Sequence, residues 1–256
     1  MEGDDRYMKK ILTLIIVLIC TCCGAENKRG NNDKEKNQKA VEFFMSKKVL
    51  VDTNHIEIVE KEKISDRDLI HLIYLRDLKI LRISSMKISE SGIKNIKDLH
   101  NLEILGLQCP KLTDNITEYI KDKMKLQVLN LSSTQLTDDG VKNLADLENL
   151  LMLNLNNTKI TGKSLYYLRA MKKLEELSLS GVSIYDEDLK ELANMKSITR
   201  LGLVSTNITD KGLVYLESLV DLAELGLQKT KVTKDGIKRL REKLPYCNII
   251  TEDDSD

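Results

Sequence analysis

A 24-residue period constrains this chain more than any other feature. Aliphatic residues recur at Leu78, Leu102, Leu126, Leu150, Leu174, Ile198 and Leu222. Three places on lie Leu81, Leu105, Leu129, Leu153, Leu177, Leu201 and Leu225, and five places on lie Ile83, Leu107, Leu131, Leu155, Leu179, Leu203 and Leu227. A fourth column follows ten places on, from Ile88 and Leu112 through to Val232. The stretch L-x-x-L-x-L alternates apolar and polar near its end, which predicts a short strand with one buried face. Each second half spaces its apolar residues as a helix does, as in Val141, Leu144 and Leu147. Ser89, Thr113, Thr137, Thr161, Thr209 and Thr233 precede those halves as candidate helix caps. Asp114, Asp138, Asp186 and Asp210 come next, where a helix dipole favours negative charge. One unit offers about seven core side chains at roughly 1.5–3 kcal/mol each. Ordering its residues costs on the order of 1.5 kcal/mol apiece. No unit stands alone, and stability requires a stack.

Residues 129–144 and 201–216 carry the pattern L-x-L-x-x-T-x-[LI]-T-D-x-G-[LV]-x-x-L with few departures. They resemble the leucine-rich-repeat family, in its ribonuclease-inhibitor-like, cysteine-containing subtype with T-D-x-G-L turns. The resemblance covers seven units over 78–250 and a degenerate unit at 54–77 marked by Ile64, Leu69, Leu72 and Leu75. It implies an α/β fold: a right-handed leucine-rich-repeat solenoid with a concave parallel sheet and convex helices. Cys109-Pro110 in the second unit, and Val182 and Tyr185 in the fifth, depart from the pattern and predict local bends. Residues 40–53, with Val41, Phe43 and Phe44, are expected to cap the N-terminal end. The segment from Leu244 to Ile249 resembles the closing segment of this subtype, and 251–256 is an acidic tail.

The first 39 residues lie outside the period. Met8, Lys9 and Lys10 precede an apolar run from Ile11 to Ile19, and Cys20, Thr21, Cys22, Cys23 and Gly24 follow. This is the charged start, short apolar run and small-residue exit of an export signal over 1–23, with Met8 as a candidate start. The run is shorter than the roughly 20 residues a membrane span needs. Its exit resembles a bacterial lipoprotein signal, with Cys22 or Cys23 as the lipidated residue; a plain cleaved signal or an uncleaved anchor are the alternatives. The polar stretch 24–39 reads as a disordered tether. Together these imply a protein held at a membrane through an N-terminal lipid, on the periplasmic side or at the surface of a cell envelope.

Lys plus Arg and Asp plus Glu each number 40, so the basic footprint of a nucleic-acid binder is missing. No recurring ligand set surrounds His55, His71 or His100, so neither a metal nor a cofactor is expected. Cys109 and Cys247 sit near opposite ends of the array, roughly 25–30 Å apart at strand spacing, and are expected to be free. The Asn-x-Ser/Thr triplets at Asn115, Asn130, Asn156 and Asn207 fall where the repeat itself supplies those residues. No catalytic arrangement is apparent.

Binding is therefore expected, of a protein or another polymer. Residues flanking the buried leucines of each strand point into the concave side. One column reads Ile80, Ile104, Val128, Met152, Glu176, Arg200 and Glu224; two places on come Arg82, Gly106, Asn130 and Asn154. The first four aliphatics, extended by Leu151, form an exposed apolar stripe of the kind that marks interaction sites. The candidate ligand-binding residues are Ile80, Arg82, Ile104, Val128, Asn130, Met152, Asn154, Glu176 and Arg200. The alternatives are a structural scaffold in an envelope assembly, or a cytosolic adaptor if the N-terminal signal is not used.

Overall fold

The computed structural model describes residues 28–252 apart from 53 and 60–62. The export signal, Cys22 and Cys23, and residues 253–256 of the acidic tail lie outside the described residues. Ten strands form one sheet in strict chain order: β1 (Leu50–Asp52), β2 (His55–Ile58), β3 (Ile80–Ser84), β4 (Ile104–Gln108), β5 (Val128–Asn130), β6 (Met152–Asn154), β7 (Glu176–Ser178), β8 (Arg200–Gly202), β9 (Glu224–Gly226) and β10 (Asn248–Ile250). Strands β2 to β10 are parallel, and β1 alone runs antiparallel, against β2. Short helices alternate with the strands. They are α-helical at α2 (Glu90–Ile93), α3 (Asp138–Asn143), α4 (Lys163–Leu168), α5 (Asp210–Leu213) and α6 (Lys234–Lys243), after an N-terminal α1 (Lys28–Ser46), and are 3-10 turns elsewhere. Crossovers between parallel strands are right-handed, so the alternation winds one right-handed coil.

The register has no stagger: Leu105 pairs with Leu129, Leu129 with Leu153, and Leu153 with Leu177. Each period column therefore becomes a row across the sheet. The leucine rows point inward and merge into a single core running from Ala40 to Ile249. The bends expected at Cys109-Pro110 and at Val182 and Tyr185 leave the ladder unbroken on both sides. Cys109 is buried and directs its thiol to the Ile83 carbonyl, 3.6 Å away. Val182 is buried where Thr134 and Thr206 each donate to a carbonyl three residues back at 2.7 Å. Val182 thus fills a slot the repeat already provides, whereas Cys109 turns inward at a position where Ser133, Asn157 and Ser205 are exposed with positive φ.

The tether expected over 24–39 is corrected in part: Lys28 to Lys39 belong to α1. Their polar composition does exclude core contact, since residues 32–36 are exposed. Exposure, however, does not prevent a helix whose far end is anchored. Ala40, Val41 and Phe44 are buried against the first turns of the solenoid, which supplies the nucleus that an isolated helix lacks. Lys39–Glu35 at 2.6 Å and Gln38–Glu42 at 3.0 Å then support it one turn apart. Asn37 also donates to the Tyr74 carbonyl at 3.3 Å.

The polar positions have a role that the sequence misplaced. Asp114 was expected to complement its own helix dipole. Instead its carboxylate accepts the N–H and hydroxyl of Thr137, one repeat on, at 2.7 and 2.6 Å. Asp66 does the same for Ser89, Glu90 for Thr113, Asp138 for Thr161, Asp186 for Thr209 and Asp210 for Thr233. A carboxylate ladder thus ties each helix start to the preceding repeat. This explains the glycine of the turn: a side chain on Gly140 would collide with Asp114. The one exchanged rung supports the rule. Gly162 has no carboxylate to give, and Asp188 of the next repeat fills that space and accepts the Tyr185 N–H at 2.8 Å.

Lys123 is a second feature the pattern did not flag. It is 1% exposed, and its ammonium donates to the carbonyls of Ile96, Lys97 and Leu99 at 2.8, 3.1 and 3.1 Å. Burial pushes its amine down to about 8, against the pull of Asp98 and Asp122.

Candidate functional site

On the outer face of the sheet, zero stagger turns the flanking columns into two adjacent rows. The first runs Ile80, Ile104, Val128, Met152, Glu176, Arg200 in pairwise register. The second runs Arg82, Gly106, Asn130, Asn154, Ser178, Gly202. All nine candidate residues thus share one face of β3 to β8. The four aliphatics are half-buried, because each shields its neighbour one strand away. They remain open on the side away from the core, and Leu151 widens the stripe beside Met152. His55 of β2 extends the first row in register with Ile80.

The row ends in charge. Arg200 donates through Nε to Glu176 Oε2 at 2.7 Å, and that partner holds its guanidinium above its ordinary value. Glu224 follows one strand on. In the second row the asparagines are fixed by their own backbone. Asn130 Oδ1 accepts the Ser132 N–H at 2.9 Å and Asn154 Oδ1 accepts the Asn156 N–H at 3.0 Å. Each amide oxygen is therefore used, and each Nδ2 has no hydrogen bond among the described residues. Arg82 is exposed and lies alongside Gly106, which adds no side chain of its own.

At the margin where the strands begin lies an open depression of about 440 Å³. Met124, Gln127 and Leu151 line it together with Lys125, Lys173, Asn149 and Glu103. The two lysines donate to the neutral Asn101 and Asn149 side-chain oxygens at 2.7 and 2.8 Å. Lys79 and Glu103, by contrast, pair at 2.8 Å. The period analysis found the rows but missed these lysines, because they stand outside the strand in a column that holds Asn, Lys, Ser and Asp in turn.

No group of three or more His, Cys, Asp or Glu side chains is placed to hold a metal ion among the described residues. Neither Cys109 nor Cys247 is in a disulfide, and burial, with Glu224 nearby, raises the Cys247 thiol to about 11, far from a reactive thiolate. No helix among the described residues is long and apolar enough to cross a membrane.

Comparison with known proteins agrees with this architecture. The "Leucine rich repeat" family model matches residues 124–184. A search of curated proteins finds no significant match. Among solved structures, internalin C2 from Listeria monocytogenes is similar at 24% identity and a TM-score of 0.63, over 78% of this chain and 80% of that one. An internalin F from the same organism aligns at 18% identity and a TM-score of 0.43, over 72% and 70%. A leucine-rich-repeat protein of Leptospira interrogans aligns at 20% and 0.42, over 71% and 62%. The parallel sheet in chain order, the matched repeats and the likeness to internalin C2 together give the chain the fold of a leucine-rich-repeat solenoid, with the sheet concave and the helices convex.

Proposed function

We propose that the chain is a non-catalytic module that binds a protein through the concave face of its solenoid. Leucine-rich-repeat proteins are typically protein-binding scaffolds. The observation that carries the reading is the in-register stripe Ile80, Ile104, Val128 and Met152, apolar side chains on the face opposite the core. An apolar row there does nothing for the leucine core, whereas interface anchors are commonly apolar groups in a polar rim. Placement belongs to the same reading: the apolar run over 11–19, followed by Cys22 and Cys23, supports a lipid anchor on an envelope membrane.

The test uses the full chain, cross-linked to its surroundings in living cells. Glutamates at Val128 and Met152 together are expected to abolish capture of the partner and leave the melting curve nearly unchanged. Lys142→Glu on the convex side is expected to leave capture intact. Loss of folding in the double variant identifies the stripe as core. Normal capture by it, with loss in the convex variant, moves the binding face elsewhere. Metabolic labelling with a fatty-acid analogue tests the anchor, and labelling that survives Cys22→Ser with Cys23→Ser refutes it.

A further inference from the structure

The last turn of the coil differs from the others in charge. Residues 229–243 hold seven Lys or Arg against two carboxylates, Asp235 and Glu242, whereas the preceding turn, 205–219, holds one against two. All seven cations are exposed. Arg239 is taken by Asp210 of the preceding turn at 3.1 Å, and Arg241 donates to the Ile249 carbonyl of β10 at 3.3 Å. Lys229, Lys231, Lys238 and Lys243 have no ion pair among the described residues.

The same turn is open in its backbone. Inside the coil, the chain just past a strand donates to the turn that follows: Ser133 to Asn156, Asn157 to Ser180, Gly181 to Val204 and Ser205 to Gln228, at 2.8, 2.9, 2.8 and 2.9 Å. Three residues later a carbonyl accepts in return, Leu136 from Lys159, Ile184 from Asn207 and Ile208 from Lys231, at 2.9, 2.9 and 3.0 Å. At the last turn the equivalent groups are the Lys229 N–H and the Val232 carbonyl, and neither has a hydrogen bond among the described residues. Val232 is itself only half-buried, where Ile160, Ile184 and Ile208 are sealed. At the spacing that supplies the partner in the inner turns stand Glu252 and Ser255.

The chain beyond β10 starts out along that path. Ile250 lies in register with Gly226, and its carbonyl accepts the Leu227 N–H at 2.9 Å. Residues 252–256 then read Glu-Asp-Asp-Ser-Asp, with 253–256 outside the described residues. At about 3.3 Å per residue those four reach roughly 13 Å, enough to run past Lys229 and Lys231.

We infer that the acidic segment 252–256 folds over the open end of the last turn, its carboxylates on Lys229 and Lys231, and caps the coil. It offers acceptors where the turn has a surplus of cations, and it gives the terminal repeat the polar outer face that a solenoid end requires. It also covers the free edge of β10, which would otherwise accept a strand from a second chain.

The test compares the full chain with a variant carrying Asp253→Asn, Asp254→Asn and Asp256→Asn, which keeps the length and touches no core residue. Limited acetylation read by mass spectrometry reports the reactivity of each lysine. Lys229 and Lys231 are expected to react about two- to threefold faster in the variant at low salt, since each exposed pair is weak. Lys142, on another turn, should not change, and salt of about 1 M should erase the difference. The difference should also survive tenfold dilution; one that disappears places the segment on a second copy and overturns the inference. A rise of equal size at Lys142 reports a general field and overturns it too. Unchanged reactivity at Lys229 and Lys231, with protection by added inorganic polyphosphate, assigns the turn to an external polyanion instead, and unchanged reactivity without such protection refutes any contact.

Discussion

Lys123 occupies a position that other repeats fill with Leu99, Leu147, Met171, Met195 and Leu219. Replacing it by Met therefore installs the solution the repeat already uses. Two effects oppose each other. A fall of the amine from 10.5 to about 8 corresponds to about 3 kcal/mol against the charged form in the folded state. Set against this are three hydrogen bonds from the charged ammonium to carbonyls, a type worth about 1.5–3 kcal/mol each but well under that where the acceptors keep other partners. The Ile96 carbonyl keeps one, the Leu99 N–H at 2.9 Å, just as Leu144 keeps the Leu147 N–H at 3.1 Å. The charge wins, and Lys123→Met is expected to stabilise the chain by about 1–2 kcal/mol at pH 7.

The sign of the pH dependence distinguishes this from a simple gain in packing. Below pH 8 the amine is charged in both states, and folding bears the whole penalty. Between about 8 and 10.5 the folded chain loses its proton first, so the unfolded chain binds more protons and stability rises with pH. Above that window the penalty is gone. The advantage of the Met variant should thus shrink by about 2 kcal/mol by pH 10, enough to cancel it. Cys247, raised from 9.0 to about 11, acts in the opposite direction over an overlapping window, since its stabilising contribution is lost as pH climbs through those values. It is common to both proteins and cancels in their difference. Urea unfolding at pH 7, 8, 9 and 10 measures that difference. A Met variant less stable than the parent at pH 7, or an advantage independent of pH, refutes the reasoning. Lys123→Ala, which leaves a hole, should be destabilising by about 2–4 kcal/mol.

The exchanged rung predicts strong coupling. Gly162→Asp collides with Asp188 and should cost about 2 kcal/mol, Asp188→Gly orphans the Tyr185 N–H at about 1–3 kcal/mol, and the double variant should return close to the parent; additive losses in a denaturant cycle would disprove the exchange. Leu153→Ala should cost about 2–5 kcal/mol as a core cavity, and Asn154→Ala only about 1 kcal/mol through its Asn156 hydrogen bond; equal losses would mean the strand register is wrong. Burial works against the charges of Asp66, Glu90 and Asp210, yet hydrogen bonds from Ser89, Thr113 and Thr233 outweigh it and hold all three carboxyls below their ordinary values. Their stabilisation is therefore present above about pH 4 and lost as pH falls through their folded values, so Asp66→Asn should flatten the acid side of a stability–pH profile; an unchanged acid limb would contradict it.

The strands and the core were legible because both follow from the spacing of aliphatics, a signal each repeat restates. The concave rows were legible for the same reason, since zero stagger turns a column into a row. What escaped was whatever depends on the neighbouring repeat. Asp114 looks like an ordinary helix-start acid when read within its own unit, and its tie to Thr137 appears only when two units are stacked. Lys28 to Lys39 failed for a related reason: their composition reports contact with the core but not the anchor at Phe44 from which the helix extends. Lys125 and Lys173 were missed because each looks like a solvated charge until stacking sets both around Leu151.

The array can also be read as seven trials of one geometry. Positions that the coil dictates come out alike in every trial, as the inward leucines do. Some departures are answered within the stack: Gly162 by Asp188, and Val182 by a pocket that accepts a methyl as well as a hydroxyl. The switch from Ile80, Ile104, Val128 and Met152 to Glu176, Arg200 and Glu224 has no such answer. All seven residues occupy one backbone position on strands of one register, so the coil makes the same demand of each. The Glu176–Arg200 pair satisfies its own charges but does not account for four apolar neighbours left facing outward. The fold does not require that switch, and under the proposed function a partner that touches β3 to β6 differently from β7 to β9 accounts for it.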